Sequence, residues 1–483
     1  MINSNKMKIT TKIFAILSLL FFGTGCNNYL EVDPKSTIGQ EQLFSSEVGF
    51  QQALTGVYSQ VASKSLYGDN MSMGFVSMIG QNYSPNASLF PFKQTVALNF
   101  KTGDAISFVS SIWSSAYKAI AGTNTILAEI DAKKSIFTEN NYALVKGETL
   151  GLRAYLHFDL LRLYGANFAT NSSKKSIPYR TVSNALSKVP STVDEVSALV
   201  LEDLLEAEQL LKNTDAMVLG VNKNRRFKMN YYAIKGLQAR VYLFRGDKVN
   251  AAKAAKEVVE SGKFAFVTSD EINANPGSRD RLFSNEHVFA LRVKNIKEWV
   301  EGSRAYFKIV PSDSRYSLTR TEVDFKTLYE VDKNGSTDIR SSKLLETEGT
   351  TIFCSKFWQT SVLGSGQTEI DRLDQTVPLV RLSEMYYILA ETAATPAEGL
   401  VYLNKVRVNR VLPEILSTGF TSQNLEAEIL KEYQKEFYAE GQLFFYYKRK
   451  LTVRMLFGAK NLSETNYIVP VPDNELEFNP NYN

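Results

Sequence analysis

The chain has 483 residues, of which 44% are hydrophobic, 22% charged and 12% aromatic. That apolar share supports a large core and excludes a disordered polar chain. Setting aside Lys6, Lys8 and Lys12 lowers the basic count from 55 to 52 against 51 acidic residues, so nucleic-acid binding through clustered cations has no support. Two cysteines and two histidines leave little material for a zinc site or a Cys/His dyad, and no metal or cofactor is expected.

The three lysines precede an apolar run, residues 13–22, that is followed by Gly23-Thr24-Gly25-Cys26. A basic region, a short apolar core and small residues form a secretory signal over residues 1–25. A helix that crosses the bilayer needs about 20 apolar residues, so this run is too short for a permanent span. The GTGC stretch resembles a bacterial lipobox, which implies cleavage before Cys26 and acylation of its thiol and new amino group. Multiple acyl chains would anchor the chain stably. Glu31 and Asp33 resemble the surface-export signal of Bacteroidetes lipoproteins. Lipidation of Cys26 would leave Cys354 without a disulfide partner, as a small buried hydrophobe.

A polar tether reaches residue 40, and the spacing of Leu43, Phe44, Phe50, Leu54, Val57, Tyr58 and Val61 predicts a helix over 41–63. Glycine and proline then break residues 66–103, which still carry Tyr67, Phe75, Tyr83, Phe90 and Phe92. Helical periodicity returns over 105–131, 140–164, 192–212 and 230–261, the last split at Gly246-Asp247 into a helical hairpin. Its small residues, Gly236, Ala239, Ala251, Ala252 and Ala255, allow close approach of two arms spaced like a tetratricopeptide unit. One such unit cannot bury its own face, so stacked neighbours are required. Residues 262–375 read as a loop-rich insertion with short strands at 287–293 and 305–310. Helices are predicted again over 380–394, 398–408 and 425–449.

Seven segments, in order, resemble blocks of the SusD/RagB family of Bacteroidetes nutrient-uptake lipoproteins. They are YLEVDPKSTI, EQLFSSEVGFQQALTGVYSQ, RAYLHFDLLRLYG, YYAIKGLQARVYLFRGD, VPLVRLSEMYYILAET, YLNKVRVNR and YIVPVPDNELEFNP. In KEFYAEGQLFFYYKRK, Tyr446 stands where the family usually has an Asp. The resemblance implies a mostly α fold, a right-handed stack of tetratricopeptide-like helix pairs with a loop-rich, partly irregular insertion in the C-terminal half. Residues 41–483 would form one body, with scaffold at 41–261 and 376–450 and the insertion at 262–375. It also implies a non-catalytic lipoprotein of the outer membrane, facing the exterior, that passes oligosaccharide to a SusC-like TonB-dependent transporter. Some members carry peptide instead.

Enzyme motifs are absent: there is no HExxH, GxSxG or Walker sequence. Glu432, Glu436 and Glu440 share one predicted helix face, where carboxylates pair with Arg or solvent rather than oppose each other across a glycoside. Arg381 and Glu384 fit such a pair. His157, between Tyr155 and Phe158, reads as a satisfied core histidine.

Sugars stack on exposed aromatic rings while planar polar groups bond their hydroxyls. Two loop segments offer such groups, and the candidate ligand residues are Tyr67, Asp69, Asn70, Asn82 and Tyr83 in the first and Trp299, Arg304 and Tyr306 in the second. Both segments look similar in position to the ligand loops of the family. Gln81, Asn86, Arg292 and Tyr316 lie in the same two segments. Trp299 is the strongest candidate because its neighbours Lys297, Glu298 and Glu301 are polar; Trp113 reads as core, and Trp358 is undecided. A peptide-binding site would want main-chain partners and a charged or apolar groove, and a surface glycosidase would want two opposed carboxylates.

Overall fold

The computed structural model describes residues 39–84, 90–220, 223–309 and 313–482. Cys26 and Asn86 lie outside the described residues. The segment up to Ser45 forms one unit, in which the described residues make a short helix, Gln40–Leu43. A second unit runs from Ser46 to Asn483.

Helix α1, Glu47–Val61, begins where Ser46 Oγ accepts the Gly49 N–H at 3.2 Å. That cap explains why the predicted helix over 41–63 is two elements: a serine oxygen satisfies an orphan amide and fixes a fresh start. Helices α2 (Gly103–Ile130), α3 (Asn141–Tyr164) and α4 (Val193–Leu211) follow. A capping box starts α4, with Thr192 and Glu195 each accepting the other's backbone N–H. The hairpin falls where the sequence places it: α5 (Tyr231–Phe244) and α6 (Lys248–Glu260) turn at Gly246, whose φ of +79° suits glycine, and Asp247 caps α6.

Each of these helices packs on the next, so α1 to α6 form a continuous stack, extended by α7 (Leu382–Thr392), α8 (Pro396–Asn409) and α9 (Ser422–Glu436). α3 is its centre, buried on every side from Gly147 to Tyr164. A Cβ at Gly151 would run into Ile234 of α5 and Met229, so glycine sets that approach.

Residues 262–375 hold short helices, turns and strands. Strand β1 (His287–Arg292) pairs antiparallel with β4 (Thr376–Arg381), and β2 (Leu345–Glu348) with β3 (Thr351–Cys354). Three sequence expectations need correction. Residues 305–309 form no strand, because Tyr306 and Phe307 donate back to Trp299 and Val300 in a local turn. Val380 and Arg381 belong to β4, not to the helix after it. The helix predicted over 425–449 is broken, with α10 (Leu443–Lys450) starting after Gly441 at φ +73°.

The insertion is locked to the helices by a buried charge network. Arg410 bonds Glu286 Oε1 at 2.8 Å and Glu436 at 3.0 Å, and Arg340 bonds Glu436 at 2.9 Å and Asp338 at 2.7 Å and forms an ion pair with Glu432 at 2.8 Å. Arg381 reaches Glu440 at 2.8 Å, which also receives Lys356 at 2.7 Å. Buried charges persist only when paired in this way. The expected Arg381–Glu384 pair does not form. Arg381 ends a strand and faces the network, whereas Glu384 lies in the first turn of α7 and takes Arg240 of α5 at 2.6 Å. Helical i, i+3 spacing does not apply across a strand-to-helix junction.

Candidate ligand-binding face

The two loop segments singled out in the sequence meet in space. Segment 66–84 winds through tight turns, with Gly68 N–H donating to Ser63 O at 3.0 Å and Gly74 N–H to Asp69 O at 2.8 Å. The second segment, 292–316, and the four residues after it lie against the first. Tyr306 donates to Asp69 Oδ2 at 3.0 Å, Ser84 N–H donates to Thr319 O at 3.0 Å, and the Arg320 guanidinium spans the carbonyls of Gln81 at 2.6 Å and Asn82 at 3.0 Å.

The expectation of exposed rings fails at most of the candidate positions. Tyr67, Asp69, Asn70, Asn82, Tyr83, Trp299 and Tyr306 are buried, none above 5% exposed. Their polar atoms point inward: Tyr67 donates to Asp159 at 2.8 Å, Tyr83 to Met73 O at 2.7 Å, and Asn82 Oδ1 accepts the Ala439 N–H at 3.0 Å. Polar neighbours in sequence did not keep Trp299 at the surface, because its short helix turns the ring under Lys64. Arg304 alone of the eight is exposed, and it lies 5.0 Å from the half-buried ring of Tyr316. Arg292 is spent on carbonyls at 369–374.

What reaches the surface is a set of cations on aromatic rings. Exposed Lys64 lies 5.5 Å from the Trp299 ring and 5.7 Å from that of Tyr306, and Lys308 lies 4.4 Å from half-buried Trp358. Trp358 donates to Phe307 O at 2.7 Å, and Phe92 packs edge-on against both Tyr306 and Tyr316. These contacts join the rings into one cluster. Lys64 and Lys308 were not legible as members, since nothing in the spacing of a lone lysine announces a ring beneath it. A hollow of about 450 Å³ opens beside Tyr83, lined also by Gln81, Lys93, Asn99, Arg320 and Phe457.

Two buried groups under this face lack partners among the described residues: Asp69 Oδ1 and Trp299 Nε1. Burial pushes the Asp69 carboxyl up to about 7, against the pull of Lys64 and the Tyr306 hydroxyl. Such unsatisfied groups are expensive, and they cluster where a site does work.

The other side chains weighed for chemistry in the sequence are held in the core. Glu432, Glu436 and Glu440 are committed to the arginine and lysine network. His157 accepts the Arg180 N–H at 3.0 Å, stacks on Tyr179 and is held down to about 3, chiefly by burial. Trp113 is buried and Cys354 is a buried thiol, both as expected. No group of three or more His, Cys, Asp or Glu among the described residues could hold a metal, and no helix among them is long and apolar enough to cross a membrane.

Two models of one family match separate stretches of this chain: one described as starch-binding, associating with the outer membrane, over residues 28–243, and the SusD family model over residues 296–459. The chain belongs to the SusD/RagB family. SusD-like protein P38 of Formosa agariphila is 23% identical to it over 98% of both chains, and SusD-like protein P25 of the same organism is 28% identical over 33% of this chain and 31% of its own. Solved structures share the helical-stack fold. A SusD-like carbohydrate binding protein from Bacteroides vulgatus matches with TM-score 0.72 at 19% identity, over 90% of this chain and 97% of its own. A SusD superfamily protein from Bacteroides fragilis matches with TM-score 0.71 at 21% identity, over 91% and 99%. A laminarin-binding SusD-like protein matches with TM-score 0.63 at 18% identity, over 89% and 97%.

Proposed function

We propose that this SusD/RagB protein captures oligosaccharide at the cell surface without chemical conversion and passes it to a SusC-like TonB-dependent transporter. One observation carries the reading: half-buried Trp358 and Tyr316 reach the surface where the two loop segments meet, with Arg304 beside Tyr316, Lys308 beside Trp358 and Lys64 over the neighbouring Trp299 ring. Ring faces stack on sugar C–H faces, while guanidinium and ammonium groups bond hydroxyls. The eight residues chosen from sequence divide into two roles: Arg304 meets the ligand, while Tyr67, Asp69, Asn70, Asn82, Tyr83, Trp299 and Tyr306 hold the face rigid from below. Relatives named for carbohydrate and laminarin binding support the ligand class.

Cys26 supplies the lipid anchor, and the body lies outside the outer membrane. The near balance of 52 basic and 51 acidic residues after removal of the signal suits an uncharged sugar. Calorimetric titration of residues 27–483 against neutral oligosaccharides, with product analysis, tests the reading. Saturable binding with the sugar recovered intact is expected. Release of shorter sugars would overturn the non-catalytic assignment, and a response to peptides alone would replace the ligand class with oligopeptide.

A further inference from the structure

A large groove is lined by residues other than those of the loop face described above. It measures about 1020 Å³ and lies between α2, the loop at 178–190 and the C-terminal segment at 472–479. Its floor holds Trp113 and Tyr117, with ring centroids 4.9 Å apart. Both are fixed by hydrogen bonds, Trp113 Nε1 to Glu475 at 3.3 Å and the Tyr117 hydroxyl to Pro178 O at 2.8 Å.

Three features of its rim point the same way. Val182, Leu186, Val189 and Phe478 are 54%, 73%, 54% and 76% exposed, an aliphatic and aromatic cluster of the kind that marks interaction sites. Arg180 and Lys188 line the groove, and among the described residues neither is paired with a carboxylate. Arg180 is spent on its own loop, bonding Leu186 O at 2.6 Å and Asn184 Oδ1 at 2.8 Å, so it stiffens the loop and keeps its charge uncompensated. Burial, and then the Arg180 charge, hold the Lys188 pKa below that of a free lysine. Glu475 also lines the groove, but its oxygens are taken by Trp113 and Asn479. Finally, the amides of Val182, Ser183 and Ser187, in a bent and exposed loop, donate to no described protein group, which leaves single N–H donors open to an incoming carbonyl.

We propose that this groove is a docking site for an extended segment of a partner protein that carries an acidic residue between aliphatic side chains. The carboxylate would meet Lys188, with Arg180 behind it, the aliphatic side chains would cover Val182, Leu186 and Phe478, and the main chain would pair with the open amides of the loop. A sugar fits this groove poorly. Trp113 is only 5% exposed and presents no ring face for stacking, so a sugar there would have only the polar groups of the rim to bond. A membrane surface fits poorly too, since the site is a concave groove and a bilayer is flat on this scale. The proposal does not depend on the oligosaccharide reading.

The test is fluorescence anisotropy of residues 27–483 with three matched pools of capped octapeptides, each alternating Val or Leu with Asp, Asn or Lys. The Asp pool should bind saturably, about tenfold tighter than the Lys pool. Lys188→Glu and Phe478→Asp, both on exposed or half-buried side chains that the fold does not need, should each weaken it about tenfold, while oligosaccharide binding stays unchanged in both. Equal binding of all three pools, or undiminished binding by Lys188→Glu, overturns the proposal. So does a Lys188-dependent association with phosphatidylglycerol vesicles that the Asp pool fails to displace, which would assign the patch to a membrane.

Discussion

Tyr306 donates its hydroxyl proton to Asp69 at 3.0 Å, across 237 residues of chain, and this bond joins the two loop segments on which the candidate face is built. The acceptor carries the less usual burden. Asp69 is fully buried, its second oxygen has no partner among the described residues, and burial raises its carboxyl to about 7.

A pH dependence follows. In the unfolded chain Asp69 loses its proton near 3.8, whereas in the folded chain it keeps it to about 7. Its contribution to stability is fully present below 3.8 and is lost as pH rises to 7, because the unfolded state sheds the proton first. Asp69→Asn, neutral throughout, should gain on the parent as pH rises. Urea midpoints of both proteins at pH 5 and pH 8 check this, and a parent-to-variant difference that is constant with pH would remove Asp69 as the cause.

The charge network makes a second prediction. Removal of the Arg410 guanidinium leaves buried Glu286 with Arg381, at 3.4 Å, as its one cation among the described residues and takes one of three arginines from buried Glu436, so Arg410→Met should cost about 3–5 kcal/mol. Lys326→Met, by contrast, removes an exposed helical pair with Glu322 and should leave stability nearly unchanged. Chemical denaturation of the two variants gives the comparison.

Trp358→Ala and Tyr316→Ala should each weaken oligosaccharide binding about tenfold and leave the fold intact, since both rings are only half-buried. Trp299→Ala is a different experiment. Its ring is 4% exposed and lies under Lys64, so truncation opens a cavity and should cost about 3–5 kcal/mol of stability. Affinity and unfolding measured on the same three variants separate contact from support.

The anchor is tested in cells. Cys26→Ser should move the protein from the membrane fraction to the soluble fraction, because no helix among the described residues could hold it in the bilayer. Retention of the serine variant in washed membranes would contradict lipidation as the means of attachment.

Much of the scaffold could be read directly, because amphipathic spacing and caps are local. The α5–α6 hairpin falls where Gly246-Asp247 predicts it. Where local signals compete, the reading fails: apolar spacing carried the predicted helix through Gly441, yet that residue takes φ +73° and the chain turns there. The site was legible as two segments and illegible as a surface. Which rings reach solvent depends on contacts such as Tyr306 with Asp69 and Trp358 with Phe307, set by residues far apart in sequence. Pairings such as Arg240 with Glu384 are hidden for the same reason: they join elements 144 residues apart.

The most direct test of the oligosaccharide reading is a crystal structure of residues 27–483 with the tightest-binding neutral oligosaccharide. The account predicts sugar rings against Trp358 and Tyr316, within hydrogen-bond reach of Arg304, Lys308 or Lys64, with every glycosidic bond intact. Sugar bound only in the groove beside Trp113, with the loop face empty, would contradict it.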